Sequence, residues 1–454
     1  MSGPDGVRRS PIWTPEVIAD LHEKARRGTY LMHGFSTLLH RQVPSFDDLV
    51  FLPAVLTRFP VEGYMEKCET GTLIGARAAR PVRLSTPIMI SGMSFGALSL
   101  PAKVALGRAA TTVGISTTTG DGGMLDEERE ASSQLVYQVL PSRYGNELRQ
   151  MRKADAIEFV CSQGAKPGTG GVLLGMKTID RVAEMRDLPS GVDQRGPARH
   201  PDWLTAPDLA VKIEEIREAT DHQIPVIVKM GASRVRNDVA VAAKIGADAI
   251  LVDGMEGGTG ASPDVMLDHG GIPTLAAIPQ AREALEELGL FGEVQLIAAG
   301  GIRSGVDVAK ALALGADACA IGTAALLAMG CNASQATDGT DCAAAYAALG
   351  AAPGGGCHHC HTGLCPVGVT TQLPELTERL DVDEAAERLV SMLTAWTMEA
   401  TMLAKACGKS NIHSLDPDDL RALTVDASLM AKIPLAGLDA IPGFTQAPAF
   451  RERP

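Results

Sequence analysis

The stretch Val294-Gln295-Leu296-Ile297-Ala298-Ala299-Gly300-Gly301 decides the fold, and Ala318-Cys319-Ala320-Ile321-Gly322-Thr323 repeats its form. Each is a short apolar run that stops at glycine. Such runs suit strands buried on both faces of a parallel sheet. The same form recurs along the chain from about residue 84. It gives eight candidate strands over 87–91, 113–118, 135–140, 156–161, 225–230, 249–252, 294–298 and 318–321. Segments with helical periodicity separate them, as in Leu209-Ala210-Val211-Lys212-Ile213-Glu214-Glu215-Ile216. Strands alternating with helices eight times over predict an α/β fold, the (β/α)8 TIM barrel. In a barrel all the strand C-termini share one rim, where such proteins keep their chemistry.

The residues after each strand therefore carry the functional reading. Strand one leads into Ser91-Gly92-Met93-Ser94, strand two into Gly120-Asp121-Gly122-Gly123, and strand three into Ser142-Arg143-Tyr144-Gly145. Strand four leads into Gln163-Gly164-Ala165-Lys166-Pro167-Gly168. Strand five carries Lys229 near its end, and strand six leads into Glu256-Gly257-Gly258-Thr259-Gly260. Gly300, Gly301, Gly322 and Thr323 stand where barrels bind phosphate, on backbone N–H groups and helix starts, although ordinary strand-to-helix turns also use glycine. Lys229 is placed to stabilise a reduced flavin anion, or else to make a structural ion pair. Lys166 suits a substrate carboxylate or carbonyl, and a solvated lysine is the plainer reading. Arg186 is a carboxylate clamp or a helix-surface charge. Asp121 is a turn former or a polar site group.

Beyond the barrel, residues 331–356 form an Ala/Gly-rich insertion, expected to be a loop with a short helix. Then Cys357, Cys360 and Cys365 fall within nine residues, closed by Pro366. Thiols this close, ending in Cys-Pro, suit an iron–sulfur cluster. His358, His359 and His361 keep zinc open as a rival, and three unrelated core thiols is the third reading. Cys68, Cys161, Cys319 and Cys407 read as core residues. The chain thus divides into an N-terminal helical segment (1–83), the barrel (84–330), the insertion and cluster loop (331–375) and a C-terminal helical extension and tail (376–454). Thr14-Pro15 predicts a capped helix start, and residues 46–53 a strap over a barrel end. Residues 383–407 predict an amphipathic helix ended by Gly408, and 416–423 a second, polar one.

The chain has 454 residues, 45% of them apolar and 21% charged, with a net charge of −13. That composition is globular and argues against a nucleic-acid surface. No apolar run reaches the roughly 18 residues that span a bilayer, so no membrane association is expected. Met1 to Trp13 lacks the apolar stretch of a signal peptide. Nine cysteines, clustered late, argue against a secreted disulfide framework and for a reducing cytoplasm.

Taken in order, these motifs resemble one family over residues 84–375: the FMN-binding synthase domain of glutamate synthase. The resemblance is carried by residues 91–99, 120–123, 142–145, 163–168, 257–263 and 322–326, and by Cys360, Cys365 and the Pro-Val-Gly-Val-Thr-Thr-Gln that ends at Gln372. It implies a barrel holding FMN and a [3Fe–4S] cluster, with Cys357, Cys360 and Cys365 on the metal. Ammonia would condense with 2-oxoglutarate to 2-iminoglutarate, which reduced FMN would convert to glutamate. Lys166 and Arg186 would hold the substrate carboxylates, with Ser142 and Arg143 in the substrate loops. Gln163 and Asp121 would lie by the ammonia entry, Asp121 standing where the family has Glu. Met93, Ser94, Gln138, Lys229, Gly257 and Gly258 would contact the flavin, and the glycines after strands seven and eight its phosphate.

Three departures bear on the activity. Thr169 and Val172 replace a Glu and a Gln of the family's substrate loop. The cluster spacing C-x5-C-x4-C is broken, because Gly354 stands six residues before Cys360. Either Cys357 moves in, or Cys331 or Cys342 serves, and a fourth thiol would permit a [4Fe–4S] form. Residue 2 is Ser and the first cysteine is Cys68, so neither the glutaminase nucleophile nor the β-helix that follows the family's barrel is expected in this chain. The resemblance therefore implies a stand-alone synthase subunit of a hetero-oligomer. Separate amidotransferase-like and β-helix subunits and an electron-donor protein or reductase would complete it. The alternatives are the flavin subunit of N-methylglutamate synthase, acting on glutamate and methylamine, and a non-catalytic electron-transfer or scaffold subunit.

Overall fold

The computed structural model describes residues 12–34, 43–260 and 262–443. Eight parallel strands form its centre, numbered β1 to β8: Ile88–Ile90, Thr117–Thr118, Leu135–Val139, Ala156–Val160, Val226–Gly231, Ala249–Asp253, Gln295–Ala299 and Ala318–Ile321. Each pairs in parallel with the next from β2 to β8, and β8 pairs with β1. Ile90 N donates to Ser116 O at 2.9 Å, and Thr118 Oγ1 donates to Ile90 O at 2.8 Å. These bonds bring the sheet round on itself, so the fold is the expected barrel with helices outside. Every residue of the eight strands is buried, which is why most of them read as largely apolar runs.

β2 is shorter than its sequence suggests. Val113 completes the helix Leu100–Val113, and Gly114 ends it at φ 78°. Glycine reaches that left-handed conformation without a Cβ penalty, so the apolar residues before it belong to the helix. At the opposite end of the barrel from the rim, an antiparallel hairpin of Thr72–Ile74 and Val82–Leu84 closes the sheet. It is tied to the strand starts: Gln295 Oε1 accepts from Ala76 N, and Gln223 O accepts from Arg80 N.

Among its described residues the segment 1–83 holds strands as well as a helix. Its helix Pro15–Arg27 starts as expected, with Thr14 Oγ1 accepting from Val17 N, yet it buries no residue. Phe46 is buried, and Leu49–Phe51 pairs antiparallel with Leu420–Ala422. That pairing overturns the polar helix expected over 416–423. Pro417–Asp419 is a single 3-10 turn closed by an Asp416–Asp419 capping box, and the buried Leu420 and Ala422 then alternate with Arg421, the period of a strand. The long helix Val382–Ala406 does form. It lays Leu389, Leu393, Trp396 and Ala400 against the helices Leu100–Val113 and Gly305–Leu314. The insertion carries the short helix Ala343–Ala348. Among the described residues no helix is long and apolar enough to cross a membrane. Most of the Met1 to Trp13 stretch and the tail from residue 444 lie outside the described residues.

Candidate functional site

The strand C-termini open on one cavity of about 580 Å³. Met93, Ser94, Asp121, Gln138, Gln163, Lys166, Arg186 and Lys229 line it, as do Gly257, Gly258, Gly300, Gly301, Gly322 and Thr323. Ser142 lines a smaller adjoining cavity of about 40 Å³, together with Asp121, Gln163 and Lys166. Arg143 lines neither, and its guanidinium pairs with Asp202.

Backbone conformation shapes the walls. Gly120 has φ 87°, and a Cβ there would strike the backbone of Met93 and Ser94. Close approach of the first two rim loops therefore requires glycine. Beneath them the buried Lys103 donates to Met93 O at 2.7 Å and Thr119 O at 2.8 Å, and pairs with the equally buried Glu128 at 2.6 Å. One ammonium thus fixes the ends of two strands.

Asp121 is held on both carboxylate oxygens. Ser142 Oγ donates to Oδ1 at 2.6 Å and Gln194 Nε2 donates to Oδ2 at 2.8 Å. Arg186 donates to Asp121 O at 3.0 Å, to Phe95 O at 2.7 Å and to Gln194 Oε1. It therefore braces the Asp121 loop, and burial pushes its pKa below the ordinary arginine value. Burial also pushes the Lys166 amine down, with Asp121 acting in the opposite sense. An ammonium with this desolvation gains most from an anionic partner.

The floor of the barrel is polar. Lys229 Nζ stands 3.2 Å from Ser91 Oγ, 3.9 Å from Glu158 and 4.0 Å from Asp253. Gln138 Nε2 donates to Glu158 Oε1 at 2.5 Å, and burial raises the Glu158 pKa. The opposing signs keep Lys229 compensated inside the fold. Glu158, Gln194 and Lys177 belong to the site although sequence reasoning misses them. A Glu within the apolar Ala156–Val160 run is the one available signal, while Lys177, in the 3-10 turn Gly175–Lys177, and Gln194, in a two-residue strand paired with Val172–Leu173, lie between β4 and β5 without a motif.

The cysteine loop closes the rim above Lys177, whose Nζ donates to Cys360 O at 3.0 Å and Ala97 O at 2.7 Å. Cys360 lines the cavity, and so does Cys331. Cys357 and Cys365 are buried behind them, and all nine cysteines are free thiols. Burial raises the Cys357 thiol, and raises Cys360 to about 11. Among the described residues no three His, Cys, Asp or Glu side chains gather as a site for one metal ion.

Fold and rim define a (β/α)8-barrel protein whose charged and glycine-rich loops line a large cavity at the strand C-termini. The model of the conserved region in glutamate synthase matches residues 58–351 and 343–410. A glutamate synthase large subunit-like protein of Rhizobium meliloti (strain 1021) is 53% identical over 437 residues, covering 96% of this chain and 97% of that protein. The archaeal glutamate synthase [NADPH] of Methanocaldococcus jannaschii is 36% identical, covering 90% of this chain and 81% of the relative. The glutamate synthase [NADPH] large chain of Bacillus subtilis (strain 168) is 33% identical over 63% of this chain, which spans 18% of that protein. The chain belongs to the glutamate synthase family. Among solved structures, a flavocytochrome b2 mutant with benzoylformate shares the fold at a TM-score of 0.52 and 16% identity, over 93% of this chain and 88% of that one.

Proposed function

We propose that the chain is the synthase subunit of a glutamate synthase-type oxidoreductase, using FMN and an iron–sulfur cluster to aminate 2-oxoglutarate reductively through 2-iminoglutarate. One observation carries the reading: Lys166, Lys229, Gly300 and Gly322 line the same cavity.

The residues present fit FMN. Gly300 lines the cavity at φ 97°, and a Cβ there would press on the backbone N and O of Gly254 at 2.8 Å, so this loop can pack so closely only with glycine. Gly257, Gly258, Gly300, Gly301, Gly322 and Thr323 would hold the phosphate on N–H groups. Gln138, Lys229, Met93 and Ser94 would hold the ring. The donor chemistry of Cys357, Cys360 and Cys365 fits a cluster, since soft iron takes thiolates. When bound, FMN supplies the hydride and the cluster supplies electrons singly.

The chain's own residues do the rest. Lys166 binds a substrate carboxylate, which offsets its desolvation. Arg186 fixes the Asp121 loop and keeps its remaining N–H donors for a second carboxylate. Asp121, held by Ser142 and Gln194, accepts an N–H of incoming ammonia, and Gln163 orients the 2-oxo group. The braced loops exclude water while the imine awaits reduction. Amidotransferase-like and β-helix subunits and an electron-donor protein would complete a cytoplasmic hetero-oligomer.

A second reading, N-methylglutamate synthesis, is favoured by Val172. It lines the cavity at a position where the family's loop offers a Gln. Anaerobically reduced enzyme mixed with 2-oxoglutarate and ammonia should lose its reduced-flavin absorbance and form glutamate. Formation of N-methylglutamate from glutamate and methylamine, with no response to the first pair, would move the assignment to the second reading. Bound flavin with no response to either pair would leave an electron-transfer or scaffold subunit.

A further inference from the structure

Glu158, on β4, is a buried carboxyl with one oxygen left over. It does not reach the cavity, whereas Gln138, Lys229 and Asp253 line it. Gln138 stands opposite Glu158 in the register of β3 with β4. Its Nε2 donates to Glu158 Oε1 at 2.5 Å, and Lys229 Nζ lies 3.9 Å from the same oxygen. Glu158 Oε2 has no hydrogen-bond partner among the described residues. An ionised carboxylate accepts on both oxygens, so this one is held by half. One amide and a shared ammonium are all that offset its desolvation, and such a group gives up its charge readily.

The charges around it are uneven. Lys229 on β5 faces Glu158 and, at 4.0 Å, Asp253 on β6, so one ammonium serves two carboxylates. Gln138 on β3 is neutral. Burial raises the Glu158 pKa and Asp253 adds to the rise, against Lys229 and Gln138. A further anion on the cavity side of Lys229 would set three negative charges against one positive. Asp253 lines the cavity and can be solvated there, so Glu158 is the carboxyl that neutralises. The Gln138 amide supplies the means. A Cβ on Gly92 would strike its Nε2 and its Oε1 alike, so both ends of the amide lie against bare backbone. Half a turn about the terminal bond exchanges them, with the carbonyl turned to Glu158 and the NH2 turned away.

We propose that Glu158 is a positioning residue of the flavin floor, which takes up a proton when the flavin is reduced and turns the Gln138 amide so that its NH2 faces the ring. This rests on the FMN part of the function proposed above. The electron donor gives two electrons to the ring, and solvent gives it one proton, which leaves the ring with one negative charge. A second solvent proton goes to Glu158 Oε1, which then donates to Gln138 Oε1. Glu158 becomes neutral, so Lys229 is left to face Asp253 and the ring.

The full chain, loaded with FMN and titrated with dithionite, tests this. Infrared difference spectra of the parent, reduced minus oxidised, should gain the C=O band of a protonated carboxyl. E158Q should lose that band and D253N should keep it. The flavin midpoint potential of the parent should fall more steeply with pH than that of E158Q. The excess is at most one proton per two electrons, a tenfold change in the equilibrium or about 30 mV per pH unit. No carboxyl band in the parent, a band that stays in E158Q, or equal slopes in the two proteins would overturn the inference and leave FMN binding and amination standing. Should E158Q fail to fold, the parent and D253N spectra decide: a band lost in D253N assigns the proton to Asp253 and overturns it too. A parent that binds no FMN would sink the flavin part of the function as well.

Discussion

The Ser142 hydroxyl donates to Asp121 Oδ1 at 2.6 Å, so the loop after β3 fixes a carboxylate that follows β2. Gln194 takes the other oxygen, and its own carbonyl is occupied by Arg186. The carboxylate cannot turn without breaking a chain of bonds across three loops. Replacing Asp121 by Asn should be tolerated by the fold, since the amide oxygen can face Gln194 while its NH2 faces the adaptable serine hydroxyl. It removes the anion. The expected outcome in a steady-state assay with 2-oxoglutarate and ammonia is a fall in kcat of about 10²-fold, with the thermal midpoint little changed.

Lys103 is a positioning residue of a different kind. Lys103→Met would free the carbonyls of Met93 and Thr119 and strand Glu128 in the core, where burial already raises its pKa to about 7. Breaking a buried pair from one side costs about 3–5 kcal/mol. Thermal unfolding should show that loss, and the double variant Lys103→Met with Glu128→Leu should recover part of it.

Gly300→Ala tests the phosphate cradle. Alanine would be strained at φ 97° and would press on the backbone of Gly254. The strain alone is worth about 1–3 kcal/mol. Equilibrium dialysis should show FMN released more readily than from the parent, with a lowered thermal midpoint.

His200 gives the molecule an acid limit. It stacks on Phe159 with ring centroids 4.2 Å apart, its Nε2 meets Val160 O at 2.8 Å, and its Nδ1 has no partner among the described residues. Burial lowers its pKa from 6.5 to about 4. A depressed folded-state pKa contributes stability that is fully present above 6.5 and lost as pH falls toward 4, and one pH unit of such a shift is worth ~1.4 kcal/mol. Denaturant midpoints should therefore decline over that window, and His200→Gln should flatten the decline.

Much of the barrel is legible along the chain because burial on both faces leaves a local mark. The runs 226–231 and 295–299 are mostly apolar and end at or beside glycine. The rim residues come from the same reading, since a barrel brings every strand end to one face whatever lies between. Where periodicity is short the reading fails: Leu420–Ala422 has too few residues to distinguish a strand from a helical turn, and its partner Leu49–Phe51 is far away in sequence.

The eight-strand alternation, the glycine loops and the cysteine run are set by the chain alone, because each is written in neighbouring residues. Only folding settles that Arg143 turns to Asp202 while Arg186 turns inward, that Glu158 stands beside Lys229, and that Cys331 and Tyr346 meet the cysteine loop. Those are contacts between segments whose spacing along the chain carries no signal. They come from packing and desolvation, which depend on what the closed barrel places next to each group.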